Sequence, residues 1–496
     1  MTKAAEQREE SAELGGFDDR YEMVVGLEVH VQVTTRTKAF CNCSAAFGAA
    51  PNVNVCPVCL GLPGALPVLN ARAVELAVRA ALALECDVHL SSVFARKNYF
   101  YPDLPKGYQI SQYDRPLATR GGLVIGVRRD GNPIRIGITR VHMEEDAGKS
   151  IHDRYPGVTA IDLNRAGVPL IEIVSEPDMR SALEAGVYLR TLRQLIEYAG
   201  VSDVSMEEGS LRVDANISAR PRGDTDLGTK TEVKNMNSFS AVERALAAEF
   251  ARQCALLDGG EPVVQQTMLW DGARGEVRPS RTKEGSHDYR YFPEPDLPPL
   301  VLASEWVAEV RRTIPELPEA RRERFAADYG LGEYDVEALT ASSALADYFE
   351  GVARQHGDAK SAANWVMGEV RAALNARGQE IAHFSVRPAD LATLLTMVTR
   401  GVLSHSAAKV VFAEMVDTGD RPEQIAERRG LVRVDDDEAL RGWIDEVIAS
   451  NPVEAKRFLA GESRLQGVLV GKVMKLSRGR ADPKLVNQLL AERTGT

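Results

Sequence analysis

The chain has 496 residues, 44% of them hydrophobic and 26% charged, the balance of an ordinary soluble globular protein of about three domains. No run approaches the roughly 18 apolar residues of a membrane helix, and the start MTKAAEQREESAELGG has no apolar stretch for a signal peptide, so a cytoplasmic address is expected. With 60 Lys and Arg against 71 Asp and Glu, the net charge of −11 argues against a surface that grips nucleic acid everywhere, while leaving room for one basic face.

Residues 1–20 lack hydrophobic periodicity and read as a disordered extension. From Tyr21, YEMVVGLEVHVQV alternates in the manner of a half-buried strand. ARAVELAVRAALAL (71–84) follows as an apolar helix. Strands fit GGLVIGVRR, IRIGITRVHMEED, TAIDLNR and PLIEIVSE, and a helix over about 179–199 carries Leu183, Tyr188, Leu189, Leu192, Leu195 and Ile196 at helical spacing. SLRVDANISAR and TKTEVKNMN resume the strands, and a helix over 240–257 ends at Gly259-Gly260. In PEPDLPPL (293–300) four prolines break both helix and strand; beyond it almost no strand pattern remains. The class is therefore α+β: a strand-rich domain over 21–300, an all-α domain over 301–408 and a small all-α tail domain over 409–496. From Pro452 onward nine Lys and Arg stand against four Asp and Glu, a basic segment that suits either a nucleic-acid contact or a solvated face.

Three groups of residues could carry chemistry. Cys41, Cys43, Cys56 and Cys59 space as C-x-C-x12-C-x2-C, two close pairs able to supply four thiolates to a structural Zn²⁺; the alternative is unliganded thiols. Glu28 and His30 lie two apart on the first strand and share a face, as do His142 and Glu144, with Glu145 on the other face. Glu172 and Glu176, Glu207 and Glu208, and Asp214 add carboxylates nearby. Such sets on neighbouring strands are what a Mg²⁺–nucleotide site requires, although a half-exposed strand also carries polar residues for solubility. The run RKNYFYPDLPKGYQISQYD (96–114) offers Lys97, Asn98, Tyr99, Lys106, Tyr108 and Gln109 for a phosphate and a planar base, or else is a Pro-rich loop packed by its own aromatics. EDAGKS (145–150) ends like a phosphate-binding loop, but Met143 stands where that motif needs glycine.

GLEVHVQ, the 96–114 run, VHMEEDAGKS, DLNRAGVPLIEIVSEPD, MEEGSLRVDANIS, KTEVKNMNSFSAVERA and SHDYRYFPEPDLPPL together resemble the GatB family, the B subunits of the tRNA-dependent amidotransferases, from about residue 22 to 496. LQGVLVGKVMKLSRGRADPKLVNQLL is similar to the YqeY-like helical domain of that family. The resemblance implies a cradle-shaped catalytic domain that uses ATP and Mg²⁺ to phosphorylate the side-chain carboxylate of misacylated Glu-tRNA(Gln) or Asp-tRNA(Asn). Ammonia from an amidase partner (the A subunit), strapped by a small C subunit in a heterotrimer, then displaces phosphate. It implies catalytic roles for Glu28, His30, His142, Glu144, Glu145, Glu207 and Lys234, with Glu208 and Asp214 nearby. Of these, Glu28, His30, Glu144 and Glu145 are the implied Mg²⁺ ligands. Lys97, Asn98, Tyr99 and Lys106 become ATP-binding candidates, the four cysteines a zinc knuckle, and Lys472, Lys475, Arg478 and Arg480 tRNA contacts. A competing reading is a non-catalytic zinc-containing tRNA-binding scaffold of the same complex; a third is a stand-alone Mg²⁺-dependent hydrolase.

Overall fold

A computed structural model describes residues 20–127, 132–280, 289–433, 437–477 and 480–493. Residues 1–19 of the expected extension, and the tRNA-contact candidate Arg478, lie outside the described residues. The chain divides into two compact units, Met1–Pro318 and Glu319–Thr496. No described helix is long and apolar enough to cross a membrane.

The first unit is built on a nine-stranded sheet. Its strands are β1 (Tyr21–Gln32), β2 (Asp87–Val88), β5 (Ala118–Val127), β6 (Pro133–Glu145), β7 (Pro169–Ser175), β8 (Leu211–Pro221), β9 (Thr231–Lys234), β10 (Thr267–Asp271) and β11 (Glu276–Pro279). The intervening β3 (Phe94–Asn98) and β4 (Tyr108–Gln112) form a separate three-stranded layer with β12 (Phe292–Pro293). The main sheet runs β11-β10-β9-β8-β1-β7-β6-β5-β2, antiparallel except between β9 and β10.

Alternation makes this sheet two-faced. On β1, Met23, Val25, Leu27, Val29 and Val31 enter the core, as do Ile171 and Ile173 of β7 and Leu211, Val213, Ala215 and Ile217 of β8. Three helices cover that face: α1 (Ala71–Ala83), α2 (Ala182–Tyr198) and α3 (Phe239–Asp258). Each starts at a side-chain cap, from Asn70, Ser181 and Ser238 respectively, which satisfies the free N–H groups of the first turn. The opposite face keeps every second residue polar. On β6 the core parity shifts between Ile138 and Val141, where the pairing with β7 is irregular at Val174/Ser175. That shift directs His142 and Glu144 to the polar face. A fourth helix, α4 (Ser304–Arg312), adds Val310 to the same core.

The second unit is helical throughout its described residues, with one core drawn from Phe325 to Ala426 and another from Leu440 to Leu490. Glu350, on the helix Ser343–His356, sits at a buried charge junction. Its carboxylate accepts from Arg321 Nη2 (3.0 Å), Arg324 Nη1 (2.7 Å) and Tyr329 Oη (3.1 Å), with Arg354 completing the shell. Burial opposes its charge, but the Arg324 and Tyr329 hydrogen bonds and the arginine charges outweigh burial and hold the carboxyl at about 2. A carboxyl lowered on folding stabilises the native state above its unfolded value near 4.5, and that contribution disappears as pH falls toward 2. Glu350→Gln is therefore expected to cost about 2–4 kcal/mol at pH 7, because buried Arg321 and half-buried Arg324 lose the charge of their shared partner. Urea unfolding of both proteins from pH 7 to 2.5 checks this: the gap should narrow below about pH 4.5. A gap independent of pH would exclude the charge as its source.

Candidate active site

The polar face of the sheet assembles its site through register. His30 pairs across from Glu172, and Glu172 from His142, so three neighbouring strands set His30, Glu172 and His142 in one row. Glu144, two residues along β6 from His142, leans into the same group. His30 Nε2 lies 3.4 Å from Glu172 Oε2 and 3.6 Å from Glu144 Oε1, while His142 Nε2 lies 3.3 Å from Glu172 Oε2. One ligand atom each from His30, Glu144 and Glu172 falls within 4.8 Å of the others. Two carboxylates and an imidazole converging at that spacing fit a divalent cation that prefers oxygen ligands.

The electrostatics agree. Burial alone would lower the His30 imidazole, but Glu172, by hydrogen bond and charge, together with Glu144 and Asp214, pushes it up to about 9. Burial would raise Glu172, yet His142 and His30 hold it well below the ordinary carboxylate range. The negative potential that holds a proton on His30 is the potential a divalent cation would experience.

A second polar row lies one pleat away. Glu28 is opposite Asp214 and accepts from Asn216 Nδ2 (3.0 Å); burial first, and then Glu172 and Glu232, raises its carboxyl. Lys234 Nζ meets Asp214 (2.9 Å) and Glu232 (3.0 Å). The structure thus brings Glu28, Asp214 and Lys234 to the face that carries His30, His142 and Glu144. Glu207 and Glu208 lie exposed in the turn at 206–209, off the strand ladder. Glu145 also points away from the trio, to Lys106 and to the Ile110 N–H (2.9 Å).

The 96–114 run divides between two environments. Lys97 Nζ lies over the Tyr289 ring at 5.0 Å, and despite its burial the charges of Glu144 and Glu172 raise it. Tyr99 donates to Gln109 Oε1 (3.4 Å) and meets Tyr289 edge-on, while Tyr291 stacks on Tyr113 at 4.2 Å. Asn98 Nδ2 instead ties its strand to the Tyr289 and Arg290 carbonyls. Lys106 belongs with Glu145 and Tyr108, beside a cavity of about 200 Å³ that Cys41 and Cys59 also line. Sequence reasoning counted Glu172, the centre of the histidine row, only as one of several nearby carboxylates, and gave no role to Arg212, which is opposite His30.

All four cysteines converge, one Sγ of each lying within 4.8 Å of the others. Cys56 and Cys59 Sγ are 3.9 Å apart, close to the ~3.8 Å edge of a tetrahedron with Zn–S bonds of about 2.3 Å. A hydrogen bond from Cys41 lowers the Cys59 thiol to about 4 against its burial, with help from Lys38, whose Nζ sits 3.6 Å away. The donor set therefore fits a structural zinc ion with no open coordination position.

Comparison with known proteins decides the family. The family described as GatB/GatE catalytic domain matches residues 23–308, and the family described as GatB domain matches 347–493. The chain belongs to the GatB family. Three relatives, each named as the B subunit of an aspartyl/glutamyl-tRNA(Asn/Gln) amidotransferase, illustrate the likeness. Those of Carboxydothermus hydrogenoformans and Geobacter sulfurreducens are 52% and 53% identical over 476 residues, spanning 95% of this chain and 98% and 99% of theirs. That of Moorella thermoacetica is 54% identical over 475 residues, 95% of this chain and 99% of its own.

The second GatB match contains the basic tail. Lys475 is exposed in the last turn of the helix Leu465–Leu476. Lys472 is occupied by Asn451 and by Glu454 (3.1 Å), and Arg480 lies over the Trp443 ring at 5.3 Å. Of the described candidates, Lys475 alone presents its charge without a partner inside the fold.

Proposed function

We propose that this chain is the carboxylate-activating subunit of a tRNA-dependent amidotransferase, acting on misacylated Glu-tRNA(Gln), Asp-tRNA(Asn) or both. The observation that carries the reading is the row of His142, Glu172 and His30, with Glu144 beside it and the charge of Lys97 coupled to Glu144 and Glu172. A carboxylate resists ammonia because its leaving group would be an oxide. Phosphorylation by ATP cures this: a carboxylate oxygen bonds to the γ-phosphorus as the bond to the bridging oxygen breaks and its electron pair departs with ADP. Ammonia then adds to the acyl carbon, loses a proton and expels inorganic phosphate, leaving the amide.

Held by His30, Glu144 and Glu172, with Glu28 nearby, Mg²⁺ would offset negative charge on the transferring group. Lys97 would bind a phosphate oxygen from the opposite layer. The ring wall of Tyr99, Tyr289, Tyr291 and Tyr113 would keep water from the acyl phosphate. Ammonia would come from the amidase partner, held in place by the small C subunit. In this reading residues 21–300 carry catalysis, 301–408 link, and 409–496 meet the tRNA through Lys475 and its neighbours.

The test uses the assembled complex and glutamyl-tRNA(Gln) labelled with heavy oxygen in the side-chain carboxylate. One labelled oxygen is expected in inorganic phosphate for each amide formed. The other labelled oxygen stays in the amide carbonyl; phosphate free of label, or label found in AMP, would overturn the reading, and amide formation without ATP consumption would make the chain a scaffold.

A further inference from the structure

Lys97 is not the only cation beside the trio. Arg212 stands directly across from His30 in the pairing of β1 with β8, on the polar face. Its Nη2 lies 2.9 Å from Asp146 Oδ1, and a third of its side chain stays exposed. Asp146 is only 3% exposed and is fixed independently of the arginine. Its Oδ2 accepts from Gln32 Nε2 (2.8 Å), its N–H donates to the Val168 carbonyl, and its carbonyl accepts from the Gly167 N–H, both at 2.8 Å. The carboxylate therefore sets where the guanidinium points. Among the described residues Arg212 has no other ion pair or hydrogen bond, so most of its five N–H donors remain available. Lys97 has neither an ion pair nor a hydrogen bond among them.

Two under-used cations around a carboxylate cluster suited to a divalent cation pose a physical problem once that cluster is filled. Three positive centres then repel one another in a site of reduced dielectric. A ligand with several anionic oxygens between them resolves the repulsion, and a planar guanidinium matches two such oxygens at once where an ammonium matches one. We propose that Arg212 binds the transferred phosphoryl group directly, gripping two of its oxygens while Lys97 holds the other side. This rests on the phosphoryl-transfer reading above and adds to it a residue that contacts the reacting group. As the carboxylate oxygen approaches and the bridging oxygen leaves with ADP, charge spreads over the phosphoryl oxygens; a fork already aimed by Asp146 stabilises that distribution without reorganising.

A merely structural Arg212, tying β8 to the turn at Asp146, would be replaced adequately by lysine. The assembled complex carrying Arg212→Lys or Asp146→Asn is compared with wild type by calorimetric binding of Mg–ADP and of Mg with a non-hydrolysable ATP analogue, and by kcat and KM for ammonium-dependent amide formation. Arg212→Lys is expected to bind ADP within about threefold of wild type, to lose the preference for the ATP analogue, and to lower kcat about 100-fold with the tRNA KM unchanged. Asp146→Asn keeps the cation but loosens its aim, and should lower kcat about tenfold. The inference is overturned if Arg212→Lys retains both the analogue preference and kcat. It is equally overturned if ADP and analogue binding fall together with the melting temperature, the mark of a structural ion pair. If labelled oxygen fails to reach phosphate in the wild-type complex, the reading beneath has failed; if it does reach phosphate and Arg212→Lys behaves as wild type, only this inference has.

Discussion

Glu144→Ala in the assembled complex is expected to reduce ammonium-dependent amide formation by about a thousandfold, while glutamine hydrolysis by the partner continues. Glu144 supplies one of the two carboxylates that converge on His30, and it lies within 3.6 Å of the imidazole. Its loss weakens cation binding and removes electrostatic stabilisation of the transferring group, an effect of several kcal/mol, at about 1.4 kcal/mol per tenfold in rate. The side chain is buried, so alanine also leaves a gap. Glu144→Gln keeps the shape and removes only the charge, and the same loss is expected from it. Supplying ammonium chloride bypasses the glutaminase step, which confines the defect to activation. If either variant kept full ammonia transfer with a wild-type melting temperature, the trio would not be the site of phosphoryl transfer.

How much of this was legible beforehand depended on the range of the interactions. Local signals held: the alternation of YEMVVGLEVHVQV set β1, hydrophobic spacing set α2 and α3, and the cysteine pairs announced their own cluster. The same-face reasoning for Glu28 with His30, and for His142 with Glu144, needed only the two-residue period of a strand. Long-range pairing did not reveal itself. Nothing in PLIEIVSE says that β7 inserts between β1 and β6, so Glu172 looked like one carboxylate among several when it bridges both histidines. Arg212 carried no signal, because its aim comes from Asp146, far away in the chain. Lys97 and Lys106 seemed equivalent within one aromatic run; the hairpin of β3 and β4 sends the first toward Glu144 and the second to Glu145. Net charge was silent for the same reason: it averages the acidic sheet face with a basic tail, and no average reports which face a residue occupies.

The second large effect concerns the cysteines. Purified without chelators, the complex is expected to carry one zinc ion per copy of this chain, and Cys59→Ser to abolish it. The knuckle has little apolar packing of its own: Phe47, Val53, Leu62, Leu66 and Val68 are exposed, and the segment 41–68 contains no helix or strand. What tethers it is specific. Lys38 is fully buried, and its Nζ donates to the Asn54 carbonyl (2.7 Å) and contacts Cys59 Sγ, while the Ala39 N–H reaches the Gly167 carbonyl (2.8 Å). An ammonium with no exposed surface is tolerable only beside negative charge, which four metal-bound thiolates supply. Without metal the other thiols reprotonate, Lys38 keeps only the charge of Cys59 beside it, and the loop and the Gly167 contact loosen together. Structural zinc contributes about 10–16 kcal/mol in isolated finger peptides. Here the large core of the first unit folds regardless, so a loss of roughly 3 kcal/mol is expected, lowering the melting temperature by about 6 °C or more. Metal analysis with thermal unfolding, before and after chelation, measures both quantities. Zinc below a tenth of an equivalent, or a melting temperature indifferent to chelator and to Cys59→Ser, would make the cluster four free thiols. Lys38→Met separates the causes: if thiolate charge is what Lys38 answers, the variant should bind zinc more weakly, and it should lose less stability relative to wild type in metal-free protein than in the zinc-loaded form.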